Sequence, residues 1–489
     1  MTVGPQARRR NIEDLRTGSL DVLVIGGGIN GVGVARDLAL RSDHAGAGLR
    51  IGLVEQHHFA SGTSGKNSQL IHGGLRYLKY FQFGMVRESL RERALLLRLA
   101  PHLVEPLPLL IPMFSSFDRF YYGAGLCLYD LLAGSRNIGK HRRLSLPAVA
   151  GLEPGLSHER LSGGAIFFDC RVHSARLVLE NVLDAARLGT IIANYVLAVD
   201  LRRESGRWRV SIEDAFSGER FEATAREIVD AAGPWSTGAP LRLVRGSHLI
   251  LPRITTGERA IAHFDENGRI VFLIPWGSHK QLTLVGTTDV DHESGPDDVE
   301  ISPEERAYLL RIVRKLFPGA AGVEPVSTFS SLRPLLRDGS GSPVAASREY
   351  RIWRSDDGIV RIAGGKYTTY RSMSEQAADL VLRNIAPELA RMHVTAEAPF
   401  PPPEGRRIED LPVDEQASLV VNCEMAQRLP DLLFVSTYLG YERIWDRAAL
   451  RPFAEAMALH LGWDERRMHE EIDLVLRLCG RPPASTLRT

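Results

Sequence analysis

Residues 21–36 read DVLVIGGGINGVGVAR. Four apolar residues, Val22, Leu23, Val24 and Ile25, lead straight into Gly26-x-Gly28-x-x-Gly31, and an apolar pattern of helical period follows. Strand, tight turn and helix in that order aim a helix N-terminus at the pyrophosphate of a dinucleotide. In such a unit Gly26 makes the turn, Gly28 lets the backbone come close to the phosphates, and Gly31 lets helix and strand pack. A second apolar run over residues 51–54 ends in Glu55, where a carboxylate can accept hydrogen bonds from a ribose diol. The fingerprint alone does not choose between FAD and NAD.

A chain of 489 residues can build more than one core. At 44% hydrophobic and 24% charged it has the composition of a soluble globular protein. A net charge of +1 supplies no global field for nucleic acid, so no nucleic-acid partner is expected. Cys127, Cys170, Cys423 and Cys479 are too scattered for a CxxC pair, and neither a metal site nor a disulfide framework is expected. Residues 1–20 lack the apolar core of a signal peptide, and no apolar run reaches spanning length. A cytoplasmic protein follows.

Along the chain, residues 1–19 read as a loose polar leader, and residues 60–67 (ASGTSGKN) as a hydroxyl-rich loop. Residues 85–99 have the pattern of a helix stopped by Pro101. Residues 117–133 (FDRFYYGAGLCLYDLLA) are too short and too charged to cross a bilayer; a buried helix is favoured over an interfacial one. A helix over 174–188 precedes three β-like runs, 191–201, 207–213 and 221–225, read as a meander before a separate core strand at 228–232. That strand ends in Gly233-Pro234-Trp235. Residues 241–329 are strand-rich and suggest a second, antiparallel domain. A last core strand over 359–363 runs into Gly364-Gly365-Lys366, with a helix from about Ser374. The prolines of residues 398–405 mark a linker, and residues 406–489 read as helical.

IGGGINGVGVARD, LIHGGLRYL, RLVRGSHLILPR, FLIPW, GTTD, SLRPL and GGKYTTYR occur in that order, and together they resemble the FAD-dependent, quinone-linked glycerol-3-phosphate dehydrogenases. The resemblance runs from about Asp21 to Asp379 and continues more loosely into the C-terminal helices. It implies an α/β architecture: a Rossmann-like FAD-binding domain (20–115, 151–240 and 340–395) and an antiparallel-sheet substrate or cap domain (116–150 and 241–339). A linker (396–405) and a C-terminal helical domain (406–489) complete it. FAD over NAD also has physical support. The chain returns to the core twice, in DAAGPW and IVRIAGGKYTTYR, each a strand ending in glycine, which lets backbone approach a flat ligand.

The cofactor residues that follow are Gly26, Gly28, Gly31, Glu55, Thr63, Ser64, His72, Gly73, Gly74 and Val196, then Gly233, Trp235, Gly364, Gly365 and Thr368. The hydroxyls of Ser61, Thr63 and Ser64 suit a pyrophosphate and ribityl chain. His72 reads equally as a flavin contact or as a structural histidine. The substrate implied is sn-glycerol 3-phosphate, oxidised at C2 to dihydroxyacetone phosphate by hydride transfer to flavin N5. That chemistry needs cations for the phosphate and one proton acceptor. Arg333 of SLRPL can fork onto a phosphate; Arg76 and Tyr77 of HGGLRYL match the family's substrate side; Thr287 and Thr288 can hydrogen-bond substrate. His248 is favoured over Lys366 as the base, with Lys366 as electrostatic stabiliser, and the choice stays open. Quinone as electron acceptor and peripheral attachment to the inner face of the cell membrane also follow from the resemblance. An oxygen-reducing oxidase of the same fold and a non-catalytic flavin-binding module are the alternatives, and a homodimer is one assembly left open.

Three places depart from the family's pattern. Gln69 stands where a lysine is common, His173-Ser174 where Asp-Asp is frequent, and Val435-Ser436-Thr437 where Arg-Arg-Thr is expected.

Overall fold

The computed structural model describes residues 3–266, 268–297, 299–337, 349–402 and 407–480. Parts of the expected first domain (340–348), cap domain (267, 298, 338–339), linker (403–405) and C-terminal domain (406, 481–489) lie outside them, as do residues 1–2 of the leader.

Two sheets organise the described residues. The first is built outward from strand Ser19–Ile25, whose apolar residues 22–25 suit a strand covered on both faces. It pairs in parallel with Ile51–Glu55 on one side and Arg220–Asp230 on the other. Ile191–Asn194 and Val360–Gly364 extend the parallel core, and Tyr350–Arg354 closes one edge antiparallel. Helices Ile29–Ala45, Ser174–Arg187 and Tyr370–Ile385 pack together against it. The parallel order brings the carboxyl ends of Ser19–Ile25, Arg220–Asp230 and Val360–Gly364, all glycine-rich, to one side of the sheet.

The second sheet holds ten strands among the described residues. Leu241–Pro252 pairs along its length with Ser327–Leu336, and Val104–Met113 pairs with Gly163–Val172. Here the expected domain limits need correction. Residues 104–113 and 163–172 lie in stretches assigned to the first domain, yet they are central strands of the second sheet. Their apolar runs look the same in either sheet, and only the pairing decides.

Three further expectations change. The loose leader is a helix, Pro5–Thr17, started by proline at its first turn, with Ala7, Ile12 and Leu15 buried. Its Arg8 is buried too, bound to Asp214 at 3.1 Å and to the carbonyl of Asn194 at 2.9 Å. The third meander run and the core strand are one continuous strand, Arg220–Asp230, antiparallel to Arg207–Asp214 at its start and parallel to Ser19–Ile25 towards its end. The linker is packed at its start: Phe400 is buried, 4.0 Å beneath the Arg36 guanidinium.

Helix Ser116–Ala133 is neither core nor span. Gly123, Leu126, Tyr129 and Ala133 are buried, while Phe117, Phe120, Tyr121, Ala124, Cys127 and Leu131 form an exposed stripe at helical spacing. No helix among the described residues is long and apolar enough to cross a membrane. The C-terminal residues are helical, with Val413–Cys423, Arg447–Leu461 and Glu465–Leu478 packed on one another.

Candidate active site

The turn after the first strand is built as its glycines require. Gly26 has φ 111°, and a Cβ on Gly31 would run into the Gly26 carbonyl. Gly28 caps helix Ile29–Ala45, and the Ile29 N–H donates to Ser64 Oγ at 2.9 Å. Glu55 braces the same turn, accepting from Gly27 N–H at 2.6 Å and from His57 N–H at 2.8 Å. Burial pushes the Glu55 carboxyl above its usual range, and those two amides pull against it.

A cavity of about 440 Å³ lies between the two sheets. Gly26, Gly28, Glu55, Thr63, Ser64, Val196, Gly233, Trp235, Gly364, Gly365 and Lys366 line it from the first sheet and its loops. Phe167, Ala262, Phe264, Ile270, Phe272, Thr287 and Arg333 line it from the second. His72, Gly74, Arg76 and Tyr77 come from the segment between. The stretches from Gly26 to Lys366, far apart in sequence, meet here because parallel strands end on one side.

Five predicted residues lie behind the wall instead. Gly31 is buried under the turn, where it serves packing. Gly73 donates to Asp169 Oδ1 at 2.9 Å, and a Cβ there would meet the Tyr129 hydroxyl, so its glycine serves the packing of helix Ser116–Ala133. Thr368 Oγ1 accepts from the His72 N–H at 3.1 Å. Thr288 is buried, its hydroxyl donating to Glu305 at 2.5 Å. His248 is 2% exposed, stacked on Phe329 with centroids 4.7 Å apart, and is linked to the cavity by Ser68 Oγ, 2.9 Å from Nε2. Burial, with Arg333 nearby, pulls its imidazole down to about 3, so it is neutral.

The charged part of the cavity centres on a residue that sequence reasoning passed over. Asp289, the last residue of GTTD, is 3% exposed. Arg333 forks onto Asp289 Oδ1 at 3.0 Å and the Thr288 carbonyl at 3.1 Å, and donates to Thr287 Oγ1 at 2.7 Å. Arg76 and Arg269 stand 3.7 and 3.9 Å from the other carboxylate oxygen. Across the cavity, Lys366 Nζ donates to Ser89 Oγ at 2.9 Å and lies 4.4 Å from the Tyr77 ring centroid. Arg76, Arg333 and Lys366 all line the space together, with Asp289 beside the two arginines and with Glu55 and Asp169 also in the lining. Ser68 and Asn67 were also missed; a lone serine or asparagine in a polar loop carries no signal of its own.

These residues fit a dinucleotide with a flat ring. The lining offers the helix N-terminus after Gly28, the hydroxyls of Ser61, Thr63 and Ser64, and left-handed glycines at 233, 364 and 365. Residues 21–370 match the FAD dependent oxidoreductase family. A glycerol-3-phosphate dehydrogenase of Pseudomonas aeruginosa is 37% identical over 80% of this chain and 76% of its own length. A D-erythritol 1-phosphate dehydrogenase of Brucella abortus is likewise 37% identical, over 78% of this chain and 77% of its own. Among solved structures, a glycerol-3-phosphate dehydrogenase from Bacillus halodurans complexed with FAD superposes with TM-score 0.74 at 23% identity, covering 99% of both chains. The glycine turn, the cavity between two sheets and these relatives agree: the chain belongs to the FAD-dependent oxidoreductases, in the glycerol-3-phosphate dehydrogenase family.

Proposed function

We propose that the protein oxidises sn-glycerol 3-phosphate to dihydroxyacetone phosphate with FAD as cofactor. The observation that carries this reading is the group Arg76, Arg333 and Lys366 in the cofactor cavity, with Asp289 holding the arginines in place. A phosphate dianion suits that charge, and a planar guanidinium already fixed by Asp289 and Thr287 loses little freedom on binding it. Bound FAD supplies a two-electron acceptor for the hydride leaving C2.

The proton of the C2 hydroxyl needs its own path. Ser68 lines the cavity and is hydrogen-bonded to His248 Nε2, which makes this pair the route from substrate to imidazole. Burial first, and the Arg333 charge in addition, make His248 a weak base. A phosphate on Arg333 cancels the repulsion and makes His248 a better acceptor when substrate is present. Lys366 steadies the oxygen as it gives up its proton.

The D-erythritol 1-phosphate relative supports a second reading, the same oxidation on a longer polyol phosphate. Anaerobic addition of glycerol 3-phosphate, erythritol 1-phosphate or glycerol to the yellow protein, followed at the flavin absorbance maximum, tests both. Fast bleaching by glycerol 3-phosphate is expected, and bleaching by none of the three overturns the reading.

The electron acceptor and location extend the proposal: a quinone, reached by lying on the cytoplasmic face of a membrane. The exposed stripe of Phe117, Phe120, Tyr121 and Leu131 supports it, flanked by exposed Arg119, Arg136, Lys140, Arg142 and Arg143. Exposed Tyr80, Phe81 and Phe83 belong to segments packed against the same helix. Leu126, Leu107, Leu109, Leu110, Ile111 and Met113 are buried and take no part.

A further inference from the structure

The three departures from the family's sequence pattern, distant along the chain, line one interface between the C-terminal helices and the cofactor loop. Its centre is Tyr438, 5% exposed, whose hydroxyl sits among four polar neighbours. It donates to the Gly65 carbonyl at 2.9 Å, accepts from Ala175 N–H at 3.0 Å and from Gln69 Nε2 at 3.0 Å, and lies 3.1 Å from Ser174 Oγ. His173 stacks flat on its ring, with centroids 4.2 Å apart and planes 2° from parallel. Gln69 closes the circle by accepting from the Ser174 N–H at 2.8 Å. Beside it, Ser436 donates to Glu424 at 2.6 Å, and Glu424 pairs with Arg176.

From this centre an unbroken hydrogen-bonded path reaches the dinucleotide turn. Ser174 Oγ accepts from Asn67 Nδ2 at 3.1 Å, and the same amide donates to the Ser64 carbonyl at 2.8 Å. Ser64 Oγ in turn accepts the Ile29 N–H, at the first residue of the phosphate-facing helix. Ser64 and Asn67 both line the cavity, and Tyr438 does not.

We propose that Tyr438 is a positioning residue for FAD: through Gly65, Gln69 and Ser174 it holds loop 61–69 closed on the cofactor, so that cofactor retention depends on the C-terminal helices. The physical reason is burial. A glycine carbonyl, a glutamine amide and a backbone N–H meet out of contact with water, and one phenol satisfies all three. Without it the loop gains most by opening to solvent, which also opens the cavity wall. Gln69, His173 and Ser174 are the uncharged partners such a phenol needs; a lysine or paired aspartates at those places would bring charge into the same buried space.

Tyr438→Phe keeps the ring on His173 and removes only the hydroxyl. The test follows FAD release from the holoenzyme after dilution, as the rise of free-flavin fluorescence well below the unfolding temperature. Circular dichroism and the unfolding midpoint are recorded alongside. Release about tenfold faster than wild type is expected, the size of effect that loss of one buried hydrogen-bonding group produces. Met457→Ala, a cavity in the buried core of helix Arg447–Leu461, is the control for general loosening. It is expected to lower the unfolding midpoint yet release FAD at the wild-type rate. Wild-type release from Tyr438→Phe overturns the proposal, and so does equally fast release from Met457→Ala. Should Tyr438→Phe fail to fold, Gln69→Ala removes the same contact from the loop side; fast release upholds the proposal and wild-type release overturns it.

Discussion

Replacing Arg333 by alanine tests the phosphate assignment most directly. The guanidinium is about four-fifths buried at its side chain and donates to Thr287 Oγ1, the Thr288 carbonyl and Asp289 Oδ1. Two effects follow its loss. A forked, charge-assisted contact to the phosphate disappears, a cost of about 1.5–3 kcal/mol, or roughly 10- to 100-fold in kcat/KM. In addition Asp289 loses the guanidinium hydrogen-bonded to it, while Arg76 and Arg269 stand 3.7 and 3.9 Å from its other carboxylate oxygen. Its carboxylate then repels the incoming dianion, which moves the expected loss towards the 100-fold end. Two controls separate these effects. Glycerol has the same secondary alcohol and no phosphate, so its slow bleaching of the flavin changes by less than about threefold. Asp289→Ala added to Arg333→Ala removes the repulsion and recovers part of the activity on glycerol 3-phosphate, a non-additivity that a double-mutant cycle measures. Stopped-flow anaerobic bleaching reads all of these rates. Equal losses on both substrates would show that Arg333 shapes the site without reading the phosphate.

Three further outcomes are expected. Gly28→Val yields folded but colourless protein, because a Cβ there meets only Ser64 Oγ at 3.1 Å and the branched methyls enter the cofactor's space; a fully yellow variant would refute the assignment of the turn. His263, in the second sheet, is pulled down to about 4 by burial, with Lys315 adding to it. Its folded value lies below the free one, so the stability it contributes is present above pH 6.5 and lost as pH falls towards 4. His263→Phe therefore flattens the fall of the unfolding free energy, measured by urea titration between pH 6.5 and 4.5, by about 1.4 kcal/mol per pH unit at most, and an unchanged slope refutes it. Phe120→Glu with Leu131→Glu, at positions 75% and 77% exposed, leaves a folded yellow enzyme that no longer sediments with anionic vesicles and still reduces soluble dyes. Normal sedimentation of that variant removes the stripe from the membrane face.

Much of the site was legible because its signals are local. A strand, three glycines and a helix need no distant residue to declare themselves, and Gly26, Gly28, Glu55, Gly364, Gly365, Lys366 and Arg333 all line the cavity. Arg333 and Lys366 could be named because each sits in a short motif. Asp289 was quoted within such a motif, but an acid is recognisable as the holder of arginines only once Arg76, Arg269 and Arg333 are seen around it.

What the amino-acid sequence determined by itself is therefore the cofactor turn, the order of strands and helices around it and the class of chemistry, since these rest on the period and chemistry of neighbouring residues. The tertiary structure alone decided the rest. It moved strands 104–113 and 163–172 into the second sheet, turned helix Ser116–Ala133 so that Leu126 is core and Phe120 is surface, and set His248 behind Ser68. It also brought Tyr438 to Gly65, Gln69 and Ser174. Each of these is a pairing between residues tens to hundreds of positions apart. Such a pairing is selected by which buried surfaces and hydrogen-bonding groups satisfy one another in the folded chain, and no periodicity along the sequence encodes it.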